Sequence, residues 1–160
     1  MEKDCWMASI DLKDAYHTIP MHEQCTKYLK FKIDDTLYKF QVLPMGFRDS
    51  PRLFCKILKP VLAKLRSKGH TSSVFIDDFF LMGQETHNCN TNVQTSVPLI
   101  KSLGFDISDK SCLEPTQMLH HLGFILSSIE MNVTHTEEKR EKIKQLLKQL
   151  KLLTLWLFKV

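Results

Sequence analysis

Asp77 and Asp78 stand between two apolar runs, Ser73-Val74-Phe75-Ile76 and Phe79-Phe80-Leu81-Met82, with no glycine, asparagine or proline at the join. Short runs of this composition read as strands, so the segment is expected to be a hairpin carrying two carboxylates at its tip. Aspartate is a preferred turn residue, and an acidic pair in a solvated turn is ordinary. The apolar flanks set this pair apart, because ordinary turns more often use Gly, Asn or Pro there.

A second acidic residue has a similar setting. Trp6 to Ile10 (WMASI) is an apolar run ending at Asp11, readable as a buried strand that delivers a carboxylate at its C-terminal end. Tyr28 to Ile33 and Leu37 to Leu43 are strand-like and joined by Asp34-Asp35-Thr36, which predicts a further hairpin before Pro44 and Gly46 break the chain.

From Pro51 the pattern becomes helical, with Leu53, Phe54, Ile57, Leu58, Val61, Leu62 and Leu65 at helical spacing and Gly69 as a stop. Arg52, Lys56, Lys59 and Arg66 fall within about 80° of one another on its other side, at ~100° per residue. That stripe could track a phosphate backbone, and it is equally the polar face that any amphipathic helix needs. Pro60 predicts a kink. Residues from Thr86 to Leu103 are rich in Asn and Thr and contain Pro98, which predicts a poor helix. Short strands are expected at Phe105 to Ile107 and Leu119 to Leu126. A last helix is expected near Thr134, where Thr134 and Glu137 form a capping-box pattern and Ile143, Leu146, Leu147 and Leu150 an apolar stripe.

A length of 160 residues with 43% apolar and 25% charged residues fits one domain with one core. The net charge of +4 is compatible with a polyanionic partner without requiring one. Five scattered cysteines with no C-x-x-C pair indicate neither a disulfide framework nor a zinc ribbon, and fit a reducing, intracellular setting. No run reaches the ~18 apolar residues of a membrane span, so a soluble chain without a membrane partner is expected. The apolar ending from Leu152 to Val160 reads as a packed or partner-facing tail.

Bringing Asp11, Asp77 and Asp78 onto neighbouring strands is costly without counter-charge, because crowded carboxylates raise one another's pKa. A divalent cation removes that cost, and hard oxygen ligands suit Mg²⁺ or Mn²⁺. His120 and His121 lack the spacing of a ligand set and read as surface or packing residues.

Four segments occur in the order of known motifs: SIDLKDAY (Ser9 to Tyr16), LPMGFRDSPRLF (Leu43 to Phe54), FIDD (Phe75 to Asp78) and LGF (Leu122 to Phe124). On these the chain resembles a retroelement reverse transcriptase from about Ala8 to about Leu150. With KPVLAKLRSKG and LGFIL it most resembles the DIRS-like/LTR-type retrotransposon group, the one that includes the DIRS-like elements. The resemblance implies an α+β polymerase palm, a ferredoxin-like antiparallel sheet with helices on one face. Partial fingers would span about 17–43 and the start of a thumb about 134–160, within a single domain. It implies two Mg²⁺ or Mn²⁺ ions, an RNA or DNA template with its primer, and a dNTP as partners.

Carried over by position, Asp11 and Asp77 match the metal ligands, and Asp78 matches the neighbour that supports them. Leu12, Lys13, Asp14 and Ala15 would form the lip that cradles the triphosphate, with Asp14 the more structural of the four. Tyr16 matches the aromatic gate beneath the incoming sugar, where a ring clashes with a 2′-hydroxyl. Met45 and Gly46 resemble the nucleotide and template contact, Arg48 and Arg52 nucleic-acid contacts, and His121, Leu122, Gly123 and Phe124 the hairpin that grips the primer. Lys110 resembles the lysine proposed to protonate pyrophosphate, and is also what an exposed surface lysine looks like. Asp49 departs from the small neutral residue expected there and would repel phosphates.

Only about ten residues precede Asp11, and the chain stops after the first thumb-like helix, so a truncated reading frame is expected. Two readings follow: an RNA-directed DNA polymerase domain, or a non-catalytic nucleic-acid-binding or interaction remnant. An unrelated metal-dependent phosphohydrolase would need further ligands near the hairpin, which the sequence does not offer.

Overall fold

The computed structural model describes residues 1–157, with side chains described through 150. Strand β1 (Trp6–Lys13) leads through a 3₁₀ turn (Ala15–Thr18) and the short α1 (Glu23–Thr26) to a ribbon of β2 (Lys30–Ile33) and β3 (Thr36–Lys39). Helix α2 (Ser50–Ser67) is followed by the hairpin β4 (Thr71–Phe75) and β5 (Asp78–Gly83), then helix α3 (Thr86–Ser102). After it come β6 (Asp106–Ile107), β7 (Cys112–Thr116), β8 (Met118–His121), β9 (Phe124–Ser127), β10 (Asn132–His135) and helix α4 (Glu137–Leu157).

The main sheet has the order β4-β5-β1-β6, with β7 pairing farther back along the same edge of β1, and every pairing is antiparallel. Leaving aside the ribbon, β1-α2-β4-β5-α3-β6 is the split β-α-β-β-α-β arrangement, the expected ferredoxin-like α+β fold. Side chains alternate across the strands. Ala8, Ile10 and Leu12 of β1 and Phe79 and Leu81 of β5 join Phe54, Leu58, Val61 and Leu65 of α2 and Cys89, Val93 and Ile100 of α3 in one buried core. Each such aliphatic or aromatic side chain contributes about 1.5–3 kcal/mol by burial, which explains why both helices lie on this face. On the opposite face Met7, Phe80 and Met82 pack under Leu119 and Leu126, so the β8–β9 hairpin covers only one end of it. Asp11 and Asp78 lie on that same face beyond the covered end.

Several expectations are corrected. β1 continues two residues past Asp11, because Leu12 and Lys13 pair with Ile107 and Asp106 of β6. Only Asp77 occupies the turn of the acidic hairpin; Asp78 already pairs with Phe75 and Asp11. The span 119–126 is two strands around Leu122-Gly123, and β7 lies in a stretch with no strand signal. Thr134 pairs with Ile125 in a strand, so the capping box with Glu137 does not form; α4 begins after Thr136, whose carbonyl accepts from Arg140 N–H.

The segment expected to be a poor helix is the full-length α3. Its polar residues are used internally: fully buried Asn92 donates to the carbonyls of Thr71 (2.9 Å) and Met82 (3.3 Å) and accepts from the hydroxyls of Ser72 and Ser96. Both helices run unbroken through Pro60 and Pro98. The carbonyls left without a donor belong to exposed Lys56 and Gln94, where water can serve them. Side chains of the apolar ending, Leu152 to Val160, lie outside the described residues. Among the described residues no helix is long and apolar enough to cross a membrane.

Candidate active site

Asp11 is held from its open flank by a loop. Its N–H donates to Ser111 Oγ (3.0 Å), and its carbonyl accepts from Ser108 N–H (2.9 Å). On the other flank Leu12 N–H donates to the Asp77 carbonyl (3.2 Å). Asp11 and Asp78 are therefore a directly opposed, non-hydrogen-bonded backbone pair, the kind whose Cα atoms approach to about 4.5 Å.

Two residues, Ile76 and Asp77, close the β4–β5 turn, and Ile76 takes φ 57°. A β-branched residue in the left-handed region costs about 1–3 kcal/mol and persists only where its surroundings hold it, here by packing of Ile76 against the core. Such strain concentrates at functional turns, and it presents Asp77 beside the Asp11–Asp78 pair.

The three carboxylates interact. Burial, then the charges of Asp11 and Asp77 and a hydrogen bond with Asp11, push the Asp78 pKa up to about 6. The site is thus short of positive charge, which fits the donor chemistry of a hard divalent cation. Among the described residues no set of three or more His, Cys, Asp or Glu is already arranged around an ion position. Mg²⁺ commonly takes only one or two carboxylates and completes its shell with substrate phosphate and water, so a preformed cage is not required.

Tyr16 lies on the 3₁₀ turn just after β1, edge-on to Phe54 with ring centroids 5.2 Å apart. Burial, then the Asp77 carboxylate, raises the pKa of its hydroxyl, which puts Tyr16 within electrostatic reach of the acidic group. Between them the chain turns sharply at Asp14, φ 48°, whose carbonyl accepts from His17 N–H (2.8 Å). Lys13 is exposed, whereas Leu12 and Ala15 are buried. Lys110 is exposed in the 108–111 loop that holds Asp11, its N–H on Ser108 Oγ (3.3 Å).

Residues 41–43 run back beside 19–21, with Leu43 N–H on the Ile19 carbonyl (2.9 Å), which carries Met45 and Gly46 to the neighbourhood of the Tyr16 turn. Met45 is exposed and Gly46 takes φ 82° with open space where a Cβ would be, so backbone is accessible there. Arg48 is exposed. Asp49 is paired with Arg52 (3.3 Å), so each blunts the other's charge toward phosphate. Arg66 leaves the basic stripe, its guanidinium donating twice to the Ser72 carbonyl.

His121 packs against Phe80 (5.5 Å), two residues from Asp78 on the same face, and burial lowers its pKa. The β8–β9 hairpin therefore runs along the sheet from Met7 toward the aspartates, with Leu122, Gly123 and Phe124 at its far end.

Ser108 and Ser111 are residues that sequence reasoning missed. The available signal was the pair of hydroxyls bracketing Asp109-Lys110, a spacing that favours a locally bonded turn.

Residues 1–126 match the family described as "Reverse transcriptase (RNA-dependent DNA polymerase)". The chain is similar to the Gag-Pro-Pol polyprotein of Human T-cell leukemia virus 2, at 29% identity over 130 residues, 76% of this chain and 9% of that protein. It is also similar to the retrovirus-related Pol polyprotein from transposon gypsy of Drosophila melanogaster, at 24% identity over 87% of this chain and 13% of that one. The chain thus spans about a tenth of the length of these curated relatives. Among solved structures, foamy viral protease-reverse transcriptase in complex with dsDNA superposes with a TM-score of 0.77 at 20% identity, over 99% of this chain and 33% of that chain. The same enzyme with an RNA/DNA hybrid gives 0.74 at 20% identity, over 90% and 19%. At that identity the likeness establishes the fold.

Proposed function

Since the chain belongs to the reverse transcriptase family, its match covering residues 1–126, we propose that it is the palm-centred part of an RNA-directed DNA polymerase. In this reading it joins a dNTP to a primer 3′-hydroxyl on an RNA or DNA template. The observation that carries this is the convergence of Asp11, Asp77 and Asp78 at the open end of the sheet, where burial and the neighbouring carboxylates push the Asp78 pKa up to about 6. Asp11 and Asp77 would hold two Mg²⁺ or Mn²⁺ ions, with Asp78 supporting them. Such ions supply activation of the attacking hydroxyl and charge neutralisation at the leaving pyrophosphate.

The chain's own residues do the positioning. The Ser108 and Ser111 bonds fix Asp11, and the strained turn fixes Asp77. The 12–15 backbone offers the triphosphate a lip, and Tyr16 closes the space under the sugar. Met45 and Gly46 offer exposed backbone to the templating base, with Arg48 and Arg52 beside the template. His121 to Phe124 form a wall for the primer end, and Lys110 lies in the loop nearest Asp11, where it could donate a proton to pyrophosphate. Residues about 17–43 are read as part of the fingers and those from about 134 as the start of the thumb. The DIRS-like subgroup is carried by the motifs; the relatives reported above are retroviral and gypsy-type.

Asp49, whose carboxylate stands beside Arg52 at the start of α2 where it would repel phosphate, favours a second reading, a nucleic-acid-binding or interaction remnant without turnover. Incorporation of labelled nucleotide on poly(rA)–oligo(dT) with Mg²⁺ or Mn²⁺ separates the two. Uptake of dTTP and not dCTP supports the polymerase. Binding of the template–primer with no uptake supports the other.

A further inference from the structure

Helix α4 leaves the molecule with its apolar stripe uncovered, Ile143, Leu146 and Leu147 being 43%, 51% and 56% exposed. Its direction is therefore set where it starts. β10 pairs with β9 and hands the chain to α4 at Thr136, beside the tip of the β8–β9 hairpin. Lys139, in the first turn of α4, reaches across that junction. Its Nζ donates to the Leu122 carbonyl (3.2 Å) and lies over the Phe124 ring, 4.8 Å from the centroid. His135 flanks the same ring at 5.0 Å.

Two features make this contact specific. A cation in the first turn of a helix opposes the helix dipole, so Lys139 needs a partner outside the helix. Arg140 and Lys144 instead pair within α4, with Glu137 (3.2 Å) and Glu141 (2.6 Å). Gly123, at φ 73°, has no Cβ, and one placed there would overlap the Lys139 ammonium and its stem. The Leu122-Gly123 turn thus leaves both an unladdered carbonyl and the space that the lysine fills.

We propose that Lys139 is a positioning residue: it clasps the hairpin tip and fixes the angle at which α4 departs, so that hairpin and helix act as one body toward nucleic acid. The part of this that concerns nucleic acid rests on the polymerase reading; the clasp itself does not.

The test compares K139A with K142A in the full chain, the second removing an equal charge from the same helix without touching the hairpin. Hydrogen exchange without nucleic acid should rise about tenfold in K139A at amides 123–126 and 138–142, with β1 and β5 unchanged, while K142A stays at the wild-type level. Dissociation of a template–primer should quicken about threefold to tenfold in K139A only. Wild-type exchange in K139A, or equal effects from K142A, overturns the clasp. If the wild type binds no template–primer while K139A still loosens the hairpin, the polymerase reading falls and the clasp stands.

Discussion

Asp11 and Asp78 face each other across β1 and β5 as a non-hydrogen-bonded backbone pair, and burial together with the neighbouring carboxylates pushes the Asp78 pKa up to about 6. Like charges opposed on a sheet destabilise it, so this pairing is a cost that the fold carries at its open end.

One consequence is a pH dependence. Asp78 holds its proton more tightly in the fold, at about 6, than at its ordinary value of 3.8. Its contribution to stability is fully present below the unfolded value and is lost as pH rises through about 6. Chemical denaturation of the metal-free chain should show stability falling between pH 4 and pH 7 by an increment absent from Asp78→Asn. Mg²⁺ added at pH 7 should restore part of it in the wild type. An identical pH profile in the variant contradicts the raised pKa of Asp78.

Asn92 ties α3 to the back of the acidic hairpin through three hydrogen bonds, and a fourth comes from Ser96 within the helix. Asn92→Ala leaves buried partners unserved and should cost about 2–3 kcal/mol, measured as a lowered denaturation midpoint at unchanged slope. A loss below about 0.5 kcal/mol would mean that the polar core of α3 is not what holds it.

Tyr16 packs on Phe54 beside the carboxylates. In the proposed site, Tyr16→Ala would open the space assigned to the sugar without removing a carboxylate. Discrimination against ribonucleotides should fall by about tenfold or more while dNTP incorporation persists. Equal discrimination in both proteins would remove Tyr16 from the gate.

Lys30 and Lys39 are directly opposed on the ribbon, which is exposed throughout. Lys39→Glu replaces repulsion by attraction and should stabilise the ribbon by about 0.2–1 kcal/mol, seen as slower amide exchange at residues 30–39. Faster exchange would contradict the register.

Much of this was legible in the sequence. The strand carrying Asp11, the acidic hairpin, helix α2 and the α+β class follow from apolar periodicity, and the family follows from four short motifs in order. What was not legible depended on partners distant in sequence. Nothing near Thr86 to Ser102 says that Asn92 will find the Thr71 and Met82 carbonyls, so propensity alone misjudged α3. Thr134 has the spacing of a cap, but pairing with Ile125 outweighs it. Within the site, Asp78 rather than Asp77 faces Asp11 across the ladder, because the turn closes on two residues and a one-residue shift reverses every side chain. Arg66 read as part of a phosphate-tracking stripe until the Ser72 carbonyl claimed it.

The most direct test of the central claim is primer extension by the wild-type chain, Asp77→Asn and Asp11→Asn on poly(rA)–oligo(dT) with dTTP and Mg²⁺ or Mn²⁺. The account predicts metal-dependent extension by the wild type and a loss of about a thousandfold or more in each variant, with both still folded. Extension undiminished in Asp77→Asn, or none from a folded wild-type chain, would contradict a polymerase site at these aspartates.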